Sequence, residues 1–202
     1  MRKGGIRAPA YLTPYFRAER RHKGGLGSLL WEDVRAQEVR FAAVLRNCPL
    51  GGLHVLDVGC GRGDLLRYLR ARGVFPGAYT GIEAEGAAAP SVRGDERTHC
   101  RILKADFVEA PEVLAVGADV IVFSGSLNLL SSWQFYRTLR IAWAATRKRL
   151  VFNFLDSPTL AGTPWLKWHR PRNVVAFARR AARTVVVDDG YEDGDCTVVM
   201  RR

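Results

Sequence analysis

The stretch Val55-Leu-Asp-Val-Gly-Cys-Gly-Arg-Gly63 decides the fold. A short apolar run ends at a glycine-rich turn, and the polar–apolar spacing from Asp64 to Arg72 then predicts a helix. Glycines at this point let backbone N–H groups approach a ligand closely, at the C-terminal edge of a parallel sheet. The pattern is not a dinucleotide fingerprint. Counted as Gly-x-Gly-x-x-Gly, the sixth position is Asp64 from Gly59 and Leu66 from Gly61. What stands there is Asp-x-Gly-x-Gly-x-Gly. Its acid, Asp57, sits on the strand itself, a poor neighbour for a pyrophosphate but a good one for a ligand carrying ammonium and sulfonium charge.

Working outward, apolar runs alternate with helical segments. Strands are expected at 53–58, 78–82, 99–103, 119–123 and 150–155, with helices at 28–47, 64–72, 132–146 and 172–183. A short helix is expected at 85–91 and a weak one at 111–116. This alternation implies a doubly wound α/β sheet with helices on both faces. The last two runs, 184–187 and 196–200, are joined by about eight residues without a helix. A parallel crossover needs a dozen or more, so they form an antiparallel hairpin. The expected plan is seven strands, the last antiparallel. Residues 1–28 form a basic arm or helical cap, and 29–202 form the domain.

The chain has 202 residues, of which 48% are hydrophobic and 25% charged, which excludes whole-chain disorder, collagen and coiled coil. Its four cysteines (Cys48, Cys60, Cys100 and Cys196) have no Cys-x-x-Cys or zinc spacing. Reduced cytoplasmic thiols and no metal site are therefore expected. No signal peptide or membrane-spanning run is visible. The net charge of +11 suits an anionic partner, but arginine outnumbers lysine 26 to 5, a bias that genome base composition alone can produce. Basic side chains concentrate in 1–23 and in 131–183, where Asp156 is the one acid.

Other candidate residues follow the strand ends. Glu83 closes the second strand, where a carboxylate can accept both hydroxyls of a ribose. Asp106 follows the third, placed to accept from an adenine amino group while Phe107 packs on the ring; an isolated Asp there is otherwise a turn former. Ser124-Gly-Ser126 ends the fourth. Its small residues either leave room beside the glycine turn for a transferable group or simply form a turn. It is no nucleophile elbow, because Phe123 and Leu127 flank it.

Asp57 to Gly63, Glu83, Asp106 and the strand end at Ser124 together resemble the ordered motifs of class I S-adenosylmethionine-dependent methyltransferases, over about residues 29–202. Gln37-x-x-Arg40-Phe41, Ser124-Gly-Ser-Leu-Asn128 and Phe152-Asn-Phe-Leu155 resemble a group of small bacterial members. Glu83 departs from the family's usual Asp, and there is no Asn/Asp-Pro-Pro-Tyr run. The resemblance implies S-adenosylmethionine as cofactor and S-adenosylhomocysteine as product. It further implies that Gly59, Cys60 and Gly61 cradle the methionine part and that Asp57 offsets positive charge. Glu83 would hold the ribose, Asp106 and Phe107 the adenine, and Arg40 the methionine carboxylate, unless Arg40 is a surface ion pair. His22, His169, Tyr15 and Asp156 are weighed as proton-transfer groups, and none is assigned a catalytic role.

The expected acceptor is a small molecule, with the positive charge available to attract an acidic one. One rival is a tRNA or rRNA methyltransferase using the basic segments, including Trp165-Leu-Lys-Trp-His-Arg-Pro-Arg172, where aromatics interleave with cations. The other is a cofactor-binding protein without transfer activity. The same tryptophans could instead roof a pocket for a small acceptor.

Overall fold

A computed structural model describes residues 9–22, 34–84, 93–161 and 163–202. Seven strands form one sheet: β1 (His54–Val58), β2 (Ala78–Glu83), β3 (His99–Lys104), β4 (Val120–Phe123), β5 (Arg149–Leu155), β6 (Thr184–Asp188) and β7 (Asp195–Arg201). Their order is β3-β2-β1-β4-β5-β7-β6. The pairs from β3 to β5 are parallel, and β7 is antiparallel to both β5 and β6. The helices are α1 (Thr13–His22), α2 (Val34–Asn47), α3 (Asp64–Ala71), α4 (Ser132–Ala145), α5 (Pro158–Ala161) and α6 (Pro171–Ala181).

The strand side chains alternate between two cores. Leu56, Val58, Ile121, Phe123 and Phe152 pack with Phe135 and Leu139 of α4 and Val174 of α6. Val55, Val120, Val122 and Val151 pack with Val44 of α2 and Leu65 and Leu69 of α3. Burial on both faces explains why these strands read as continuous apolar runs. Ser131 starts α4 with a capping box closed by Gln134.

The expected plan of six parallel-running strands closed by an antiparallel β7 is what the sheet shows. The weak helix at 111–116 is a single 3-10 turn, Pro111–Leu114, and the short α5 was not anticipated. The expected helix at 85–91, the start of α2 at Ser28 and the arm boundary at residue 28 lie outside the described residues. Among the described residues no helix is long and apolar enough to cross a membrane.

Candidate functional site

Strand order reverses between β1 and β4, and a cavity of about 170 Å³ opens there at the C-terminal strand ends. The turn after β1 is bound tightly to its neighbours. Gly59 and Cys60 both donate their N–H groups to Ile82 O, at 2.8 and 3.0 Å. Gly61 donates its N–H to Glu83 Oε2 at 2.8 Å. Gly59 has φ +74°, and a Cβ there would lie 2.3 Å from Ser126 Cβ. Only glycine fits both the dihedral and the space.

Asp57, Gly59, Cys60, Gly61, Glu83, Ser124 and Arg40 all line this cavity. Asp57 is buried and accepts a 2.5 Å hydrogen bond from the Tyr79 hydroxyl. Burial pushes its carboxyl up to about 7, against the lowering effect of Tyr79, and the nearby charges of Glu83 and Asp64 add to the rise. Burial raises the Cys60 thiol far above its ordinary value, so it is no thiolate nucleophile. Ser124 Oγ is buried without a hydrogen-bond partner.

Arg40 is a buried ion pair rather than a surface one. Its Nε meets Asp195 at the start of β7, and its Nη1 donates to Ala36 O at 2.9 Å. Tyr191 donates to the other Asp195 oxygen at 2.8 Å. The β6–β7 hairpin thus holds a wall of the cavity against α2.

Asp106 and Phe107 are not among the cavity walls. Asp106 Oδ1 accepts from the Tyr11 hydroxyl and, at 2.9 Å, from the Val108 N–H, while Oδ2 is buried and unpartnered. Phe107 packs edge-on against Phe123 in the core, with ring centroids 5.7 Å apart.

Of the groups weighed for proton transfer, Tyr15 of α1 lines the cavity, its phenol raised by burial and by Glu83. His169 is a core residue. It stacks on Phe135 at 4.0 Å, and burial lowers its pKa. Asp156 lies outside the cavity walls and His22 is exposed. Trp165 and Trp168 are 44% and 39% exposed, and Leu166 between them is the residue that reaches the cavity.

Several wall residues escaped the sequence reading: Arg35, Leu129, Leu155, Leu166 and Glu192. Asn153 escaped it too, although it sits in the quoted Phe152–Leu155 run. Its Oδ1 accepts the Gly125 N–H at 2.7 Å and fixes the turn after β4. A buried Asn in an otherwise apolar strand was the available signal.

A family model described as a methyltransferase domain matches residues 30–182. A Mycobacterium tuberculosis protein described as a methyltransferase is 38% identical over 110 residues, which is 50% of this chain and 62% of that protein. The match therefore spans less than two thirds of that relative. Magnesium protoporphyrin IX methyltransferase from Synechocystis PCC 6803, solved with bound SAH, superposes with TM-score 0.66 at 14% identity, covering 95% of this chain and 96% of that one. The Burkholderia thailandensis 1,6-didemethyltoxoflavin-N1-methyltransferase, solved with bound 1,6-didemethyltoxoflavin and S-adenosylhomocysteine, gives TM-score 0.65 at 18% identity, covering 96% and 90%. At these identities the likeness to solved structures concerns the fold.

Proposed function

The chain belongs to the methyltransferase-domain family, and on that premise we propose that it transfers a methyl group from S-adenosylmethionine to a small-molecule acceptor. The observation that carries this reading is the glycine turn with its Gly61 N–H on Glu83, opening onto a cavity at the strand-order reversal. The residues fit the cofactor. A Cβ at Gly59 would fill the turn, Asp57 and Glu83 are acids in the wall beside it, and Ser124 Oγ in the same wall is buried with nothing bonded to it.

In this reading Gly59, Cys60 and Gly61 surround the methionine part, and Asp57 offsets its charge. Glu83, held in place by the Gly61 N–H, receives the ribose hydroxyls. Asp106, held from behind by Tyr11 and Val108, receives the adenine amino group beside Phe107. Arg40, in the cavity wall, faces the methionine carboxylate. When bound, the cofactor supplies a methyl group already activated on a cationic sulfur. The chain's own contribution is then positioning and exclusion of water. Ser124 and Gly125 line the cavity at the end of β4, and Tyr15 and Leu166 add an aromatic and an aliphatic wall.

Isothermal calorimetry with S-adenosylhomocysteine, paired with labelled-methyl transfer into a fractionated lysate, tests this. Binding that Gly61→Val abolishes, with label in the small-molecule fraction, is the expected result. Label in RNA would replace the acceptor class, and tight binding without any transfer would point to a non-catalytic cofactor-binding protein.

A further inference from the structure

Four residues of the cavity wall have no part in the cofactor roles proposed above. They are Asn128, Leu129, Leu155 and Leu166, and Ser124 lines the same cavity. Ser124 is 9% exposed. Its Oγ and the Asn128 Oδ1 are both buried without a hydrogen bond. An amide oxygen accepts and cannot donate, so only a hydrogen on an incoming molecule satisfies it. The three leucines call for an apolar body beside that hydrogen.

The charge at this side of the domain opposes the charge of the chain. The net charge is +11, yet the turn between β6 and β7 carries Asp189, Glu192 and Asp193. Glu192 lines the cavity. Asp156, at the end of β5, donates its N–H to Gly194 O at 2.8 Å and lies within electrostatic reach of Asp189 and Asp193. Both arginines in the walls already face acids: Arg35 is 3.5 Å from Glu192, and Arg40 is paired with Asp195. A carboxylate or phosphate on the acceptor would meet these acids and leave Asn128 Oδ1 unsatisfied.

We propose that the acceptor is a small amine, its N–H on Asn128 Oδ1, its hydrocarbon on Leu129, Leu155 and Leu166, and its positive charge facing the acidic β6–β7 turn. The proposal rests on the methyltransferase reading above. The bound cation has no lone pair, so it first gives one proton to water, keeping another N–H on Asn128 Oδ1. The lone pair so freed forms the new N–C bond as the C–S bond breaks, and the electron pair of the broken bond stays on sulfur. The methylated nitrogen is then cationic, and it releases its proton to water.

Calorimetry on protein saturated with S-adenosylhomocysteine tests the proposal. The probes are a panel of small aromatic and alicyclic amines and the carboxylic acids matched to them in size. Amines should bind and acids should not. Asn128→Leu should weaken the amines about tenfold, the worth of one hydrogen bond. Glu192→Gln, in the partly buried wall, should weaken cationic amines and spare neutral ones. Acids binding as well as amines, binding of neither, or indifference to both substitutions overturns the proposal while leaving the methyltransferase reading intact. Failure of S-adenosylhomocysteine itself to bind overturns that reading, and this proposal with it.

Discussion

The Glu83 carboxylate accepts the Gly61 N–H at 2.8 Å, so the end of β2 and the turn after β1 are one unit. The bond occupies Oε2 and fixes the plane of the carboxylate. A Glu is one methylene longer than an Asp, and this contact removes the extra freedom that its length would bring.

Removing that carboxylate should therefore cost binding in a specific way. Glu83→Ala should lose roughly 1.5–3 kcal/mol for each hydrogen bond to the charged group. A 2′-deoxy analogue of S-adenosylhomocysteine should bind wild type poorly and lose little more in the variant. Additive losses in this double-mutant cycle would show that Glu83 does not touch the ribose.

Gly59→Ala tests the turn itself. The positive φ costs about 1–2 kcal/mol for a residue with a Cβ, and the overlap with Ser126 adds about 1–3 kcal/mol. Urea denaturation should show a loss in that combined range, and Ser126→Gly should recover the steric part of it. Ser126 Oγ also donates to Val58 O at 2.5 Å, so Ser126→Gly alone should cost about 1 kcal/mol.

Asp57 links stability to pH. Burial raises its carboxyl to about 7, above the value in the unfolded chain. Between the two values the folded protein holds a proton that the unfolded chain has released. The resulting stabilisation is complete below the unfolded pKa and is lost as pH rises through about 7. Asp57→Asn should remove this dependence and raise the melting temperature at alkaline pH by several degrees. It should also abolish any preference for the cationic S-adenosylmethionine over the neutral product, a preference that in wild type should grow as pH rises through the same point. A flat preference across that range in wild type would separate Asp57 from the cofactor's charge.

The Arg40–Asp195 pair is buried on both sides, at 7% and 1% exposure. Asp195→Ala should destabilise the protein by about 3–5 kcal/mol, because a buried guanidinium is left uncompensated. Arg40→Met with Asp195→Leu should restore much of that stability without restoring S-adenosylhomocysteine affinity. Recovery of both would show that Arg40 is structural only.

Binding to bulk tRNA should be weak and blind to sequence. Arg17, Arg20 and Arg21 of α1 and Lys167, Arg170 and Arg172 before and within α6 are the candidate phosphate contacts. Each one used would add roughly 0.7 to the log–log salt slope on single strands. Catalytic methylation of tRNA that Lys167→Glu with Arg170→Glu abolishes would restore the RNA reading.

The parts of the molecule legible in the sequence were those written in local pattern. The Asp57–Gly63 turn, the acid closing β2 and the helix-free connection to β7 each follow from spacing within a few residues. The remainder depends on contacts between distant segments. Tyr11 reaches Asp106 across 95 positions and Arg40 reaches Asp195 across 155, and no periodicity encodes either. Leu166, rather than Trp165 or Trp168, reaches the cavity because an irregular segment has no fixed alternation to read. Glu192 lies in the helix-free connection, and only the antiparallel insertion of β7 brings it to the cavity.

That insertion also has a consequence for the order of assembly during synthesis. β7 lies between β5 and β6, so β6 has no sheet partner until residues through Arg201 have been made. Arg40 must wait equally long for its counter-ion. A nascent chain can build the glycine turn early, but both cores still lack the β7 side chains Cys196, Val198, Val199 and Met200, and its ligand cavity lacks a wall. Cofactor in the surrounding solution should therefore leave ribosome-held fragments ending before Asp195 as sensitive to protease as fragments without it, and should begin to protect only the chain that carries β7.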